Sequence, residues 1–249
     1  MIASHTRAPS LDTIASGRRL GVPETQSVSN ENWAAHLERE EGRYRDGESR
    51  LPDAEDADAR QRQLTRLGNA AGGAGLALLM SGRPDEASHW FHRAAERYRE
   101  SFEQAPPDSW GRPIGAVKAL VLAGDWLAAE DAARWALDAG ADGAQSPIGR
   151  YAAALALLVL GEDERARPHA DEIRVREDFP RPVGDALAYL AAQDVLGYTE
   201  AVEAVLESFE TRDEYLEEMP VADTVLVLQA LAGRRGMAVE LISPLLPAA

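Results

Sequence analysis

The chain has 249 residues, enough for a substantial core, and it contains no cysteine, which excludes disulfides, thiolate metal sites and cysteine nucleophiles. Apolar residues make up 45 % but aromatics only 6 %, a helix former's composition in which β-favouring residues are scarce. The formal net charge is −16, all but Lys118 of the 26 basic residues are arginine, and no basic stripe is present, so no nucleic-acid partner is expected.

An acidic, lysine-poor composition of this kind resembles that of proteins from salt-accumulating halophilic archaea. The charge therefore fits either solubility in concentrated salt or attraction to a basic partner. The longest apolar run, Tyr151 to Leu160, is about half of the roughly 20 residues a membrane-spanning helix needs, so no membrane partner is expected. The first residues, MIASHTRAPSLDTIASG, lack the sustained apolar stretch of a secretory leader, and a cytoplasmic location is the expectation.

Residues 1–28 are polar and broken by Pro9, Gly17, Gly21 and Pro23, which predicts a disordered or loosely attached arm. A single α-helical, repeat-like domain is expected over 29–249. Its first helix is capped near Ser29 or Asn30, with Trp33, Leu37 and Tyr44 on one side. The charged stretch DGESRLPDAEDADARQRQ reads as a connector that turns into the next helix before Gln63.

From there a pattern repeats. An apolar segment ends in glycine, a short polar turn follows, and a second amphipathic segment starts with alanine five residues after that glycine. Gly82 to Ala87, Gly124 to Ala129 and Gly161 to Ala166 are the clear instances, and Gly197 with Val202 is a weaker fourth. Each glycine is placed where a helix ends in a left-handed residue, and the period is close to that of helical-hairpin repeats. The fold class expected is all-α, an array of antiparallel helix hairpins with a short extended segment, AVELI, near the C-terminus.

The first hairpin resembles a tetratricopeptide repeat. Gly75, Gly82, Ala87, Phe91 and Ala94 occupy its small, small, small, aromatic and small positions. Later units keep only part of the pattern, with Ala129 and Ala136 in the second and Ala154 and Ala166 in the third. An adaptor of this type would line a concave face with the first helix of each pair, including Asn69 and Arg150.

The glycine-rich stretch LGNAAGGAGLALLMSG raises the question of a phosphate loop. A dinucleotide loop needs a buried strand before it and a third glycine closing G-x-G-x-x-G. Here RQRQLTRL precedes, and the closing glycine is missing. On a helix, Gly68, Gly72, Gly75 and Gly82 share a face, which predicts close packing against a neighbour. His89 and His92, with Glu96 a turn further on, have a spacing that could present metal ligands. Trp90, Phe91, Ala94 and Ala95 define the buried side, however, and leave both histidines at its edge or in solvent. His5, His36 and His169 suggest no triad. No cofactor, metal or catalytic residue is expected.

In TEAVEAVLESFETRDEYLEEM, Val202, Val205, Leu206 and Phe209 form an apolar face. Glu200, Glu203, Glu207, Glu210 and Glu214 follow another, and Arg212 is the one base between Glu200 and Glu218. Like charges at this spacing weaken a helix. The row is either a surface for a basic protein partner or a salt-adapted solvent face.

The C-terminal stretch MPVADTVLVLQALAGRRGMAVELISPLLP combines an apolar helix, a turn at Gly236, a short extended run and a Ser-x-x-Leu-Pro end. It resembles the close of the immunity protein 49 family at Leu226, Leu228, Ala230, Leu231, Ala232, Gly236, Val239, Leu241, Ser243, Leu246 and Pro247. The preceding helix, with Tyr215, is similar to that family's penultimate helix, and Trp110 stands where its central helix begins. Leu245 departs from an expected aromatic, and Gly111 and Pro113 interrupt the central motif. The resemblance implies a protein that neutralises a cognate toxin by stoichiometric binding. Glu203, Glu207, Glu210 and Glu214 are then the expected partner-binding residues.

Overall fold

The computed structural model describes residues 30–248; the predicted N-terminal arm, His5 and the cap at Ser29 lie outside them. The described residues form ten α-helices: α1 (Asn30–Arg50), α2 (Ala57–Met80), α3 (Pro84–Phe102), α4 (Gly111–Leu122), α5 (Trp126–Asp138), α6 (Pro147–Leu160), α7 (Asp163–Arg174), α8 (Arg181–Ala192), α9 (Val195–Glu210) and α10 (Asp223–Gly233). Each helix up to α9 packs on the next, as the expected hairpins require. The even-numbered helices α2, α4, α6 and α8 also touch one another in sequence and form an inner layer.

Local signals set these boundaries. Asp56, Asp125, Ser146 and Asp194 cap α2, α5, α6 and α9 by accepting a bond from the backbone N–H three residues on. Gly82, Gly124 and Gly161 all adopt the left-handed conformation, and so does Gly236 after α10. The fourth hairpin differs from the expectation. Gln193 takes the left-handed position after α8, while Gly197 lies inside the first turn of α9. There a Cβ would sit 2.5 Å from the ring of Tyr189. Gly197 is thus a packing glycine, and the turn comes earlier.

The glycines of α2 work as seats rather than as one face. A Cβ at Gly75 would lie 2.7 Å from the fully buried ring of Phe91, one at Gly68 2.8 Å from Tyr98, and one at Gly73 2.9 Å from Glu40 of α1. Gly72 meets nothing within 4 Å. Gly82 lies beyond the end of α2 and belongs to the turn. Four glycines in a helix cost roughly 3–4 kcal/mol of propensity relative to alanine, and close seating of two aromatic rings and a buried carboxylate offsets it.

No strand forms among the described residues, so the extended segment expected near the C-terminus makes no sheet. Its backbone is held by a side chain instead: Gln229 of α10 donates to the carbonyl of Val239 and accepts from its N–H.

α10 has the placement that no hairpin pattern anticipates. It packs on α4 and α8 of the inner layer as well as on α9. Val225, Val227, Leu228, Leu231 and Ala232 are buried, and no α10 side chain before Gly233 is exposed. The chain's own last helix therefore lies in the groove of the helix stack.

Substitution of Gly75 by alanine is expected to destabilise the fold by about 2 kcal/mol despite better helix propensity. Gly72→Ala, with no atom in its way, is expected to stabilise it by up to about 1 kcal/mol. Urea-unfolding midpoints of the two variants should move in opposite directions.

Candidate functional site

On α9, Tyr198, Val202, Val205, Leu206 and Phe209 are buried against the body. Glu200, Glu203, Glu207 and Glu210 consequently project from the opposite side and are exposed. Among the described residues no arginine, lysine or histidine forms an ion pair with any of the four; Glu210 accepts a 2.7 Å bond from Ser243. Glu214 does not belong to this row. α9 ends at Glu210 and Thr211 caps it, so Glu214 stands exposed in the following loop. The guanidinium of Arg212 turns back over the Phe209 ring at 3.7 Å and bonds the Ser208 carbonyl at 3.0 Å, away from the glutamates.

Several carboxylates elsewhere are drawn into arginine pairs. Glu40 is fully buried and accepts from Arg39 and Arg43, both at close range. Arg43 reaches on to Glu217 in the loop before α10, and Glu217 also accepts from Asn69 at 2.8 Å. Arg39 holds the same loop through the Glu217 carbonyl at 3.0 Å and the Glu218 carboxylate at 3.1 Å. Both glutamates have positive φ, a conformation that costs on the order of 1 kcal/mol or more per residue, so the two arginines retain a strained turn. Burial by itself would raise the Glu217 carboxyl, but the bonds from Arg43 and Asn69 outweigh it and hold it below the ordinary glutamate value.

Both ends of α10 are tied by cations. At its start Lys118, the one lysine, bonds Asp223 at 2.5 Å and Thr224 at 3.1 Å. Burial would lower this ammonium, yet the Asp223 carboxylate more than compensates and raises it above the ordinary lysine value. At the far end Arg235 pairs with Asp163 and donates to the Leu158 carbonyl at 2.8 Å, at the end of α6. Arg234 lies over the Trp126 ring at 4.5 Å. α10 is clasped at both ends.

Between α2, α4 and the 217–223 connection a cavity of about 370 Å³ remains. Asn69, which the adaptor reading placed on a concave face, lines it. Arg150 does not: it pairs with Glu172 of α7 at 2.9 Å and bonds Gln145. Of the paired histidines, His89 is exposed and His92 is 3.4 Å from Asp125. No cluster of three or more metal-ligating side chains occurs among the described residues, and no described helix is long and apolar enough to cross a membrane.

The residues that sequence reasoning passed over are Arg112, Lys118, Glu217 and Arg235. Two signals pointed towards them. Lys118 is a lone lysine in an arginine-rich chain, and the 223–232 segment is apolar around most of its circumference, as a helix enclosed on several sides must be. No family model matches the chain, and neither does any curated protein or solved structure.

The clasp on α10 has a defined pH window. The contribution of Glu217 is complete above the ordinary glutamate pKa of about 4.3 and is lost as pH falls through its lowered native value. That of Lys118 is complete below about 10.4 and is lost as pH rises through its raised native value. Glu217→Gln is expected to cost about 1 kcal/mol at pH 7. Thermal unfolding of the variant and the parent should converge as pH falls below the lowered native value of Glu217.

Proposed function

We propose that this chain is a non-enzymatic protein-binding module that captures a basic protein partner on the outer face of α9. In its most specific form it is an immunity protein that neutralises a cognate toxin by stoichiometric binding, the role implied by the resemblance of its C-terminal segment to the immunity protein 49 family. One observation carries the reading: Glu200, Glu203, Glu207 and Glu210 line an exposed helix face without a cationic partner among the described residues, in a chain that pairs so many of its other carboxylates with arginine. Repulsion along such a row costs a few tenths of a kcal/mol per pair, and an incoming basic surface would relieve it. A net charge of −16 would steer that surface from a distance.

A peptide-holding adaptor is the competing reading. It is disfavoured because α10 occupies the groove in which a peptide would lie.

Glu203→Lys combined with Glu207→Lys tests the proposal. The parent chain should co-purify with the product of an adjacent toxin-like gene and protect cells that express it. The double reversal should abolish protection and slow association about tenfold or more at low ionic strength. Undiminished capture by the variant, or survival of toxin-expressing cells without this chain, would rule the reading out.

A further inference from the structure

The cavity beside α10 is walled mainly by apolar side chains, among them Leu76, Phe91, Ile114 and Met219. Four charged groups reach it, and three are spoken for. Glu217 is held by Arg43 and Asn69, while Asp223 and Lys118 hold each other. Arg112 is different. Its guanidinium bonds only neutral partners, the Ser101 hydroxyl at 2.9 Å and the Gln61 side-chain carbonyl. Among the described residues no carboxylate lies within ion-pair distance of it, although carboxylates outnumber cations by 42 to 26 in the chain. Arg112 is half-buried, and burial draws its pKa down with no anion to offset the effect. A partly buried guanidinium without a counter-ion is a costly arrangement, and this residue lines the cavity with its Nη1 engaged by no protein acceptor among the described residues.

We propose that the space between α2, α4 and the 217–223 connection binds a small monocarboxylate with an apolar body, its headgroup paired to Arg112. The volume, about 370 Å³, lies at the small end of ligand pockets and is too little for a peptide segment or a folded partner. The planar fork of arginine matches a carboxylate through two parallel bonds. One uncompensated positive charge also sets the ligand charge: a dianion would leave a negative charge beside Glu217 and Asp223, and a cation would meet carboxylates already engaged. Entry is from the side of Gly72 and Gly111, where a Cβ would meet nothing within 4 Å. This site is independent of the α9 face and would persist if the partner proposed above were wrong.

Calorimetric titration of the full chain with 3-phenylpropionate and octanoate, each against its neutral alcohol, tests the proposal. At least one acid should bind saturably, about ten- to a hundredfold more tightly than its alcohol. Arg112→Gln should reduce acid binding to the level of the alcohol and leave the alcohol unchanged. Arg112→Lys, which keeps the charge but loses the fork, should fall between them. Gly72→Leu, which fills the cavity without touching Arg112, should block both ligands, with helicity and melting temperature checked for every variant. Absence of saturable binding by either acid, equal binding of acid and alcohol, or unchanged acid affinity in a folded Arg112→Gln would overturn it.

Discussion

The structure depends on filling a groove. Helix hairpins stacked side by side bury the seams between neighbours, but their inner layer is left with an apolar trough that must meet either a ligand or more protein. Here α10 fills it. Val225, Val227, Leu228 and Leu231 are too apolar to face water on any side, and burial of four such side chains contributes on the order of 6–12 kcal/mol before chain ordering is counted. The helix has few other places it could go.

Arginine chemistry then fixes α10 in position. The connection that leads into the groove must turn sharply, and it does so through two left-handed glutamates. Arg39 and Arg43 convert that turn from a liability into an anchor, because the strained residues are also the ones whose oxygens they bind. Glu40, buried on α1 against Gly73 of α2, sets the spacing of both guanidinium groups. The glycine-rich helix thus serves the groove indirectly. Its missing side chains let α1 and α3 come close, and closeness brings Arg43, Asn69 and Glu217 into one network. The same arrangement leaves the α9 row without a cation on the outside and Arg112 without a carboxylate beside the cavity, so these two features lie on different surfaces.

Much of the architecture was legible in the sequence because it is local. Left-handed glycines and helical periodicity each act within a few residues, and they located the hairpins at Gly82, Gly124 and Gly161. Gly197 misled because a glycine needed for contact with Tyr189 looks the same as one needed for a turn, while Gln193 carries no turn signature at all. Glu214 continued the spacing of the row but not the helix, which stops at Thr211. The groove site was illegible for a different reason. Lys118 meets Asp223, and Asn69 meets Glu217, across 105 and 148 positions, and no local pattern reports which distant polar groups converge. The lone Lys118 and the apolar circumference of α10 were the available clues, and in sequence the second reads equally well as one more helix of the stack.

Amide hydrogen exchange on the full chain tests the seating of α10 most directly. If the helix is an integral part of the core, the amides of Val225 to Leu231 will exchange as slowly as those of Leu155 to Val159 in α6, with free energies near that of global unfolding. Exchange of the 225–231 amides within seconds, while α6 stays protected, would show that the groove stands open in solution and would contradict the account.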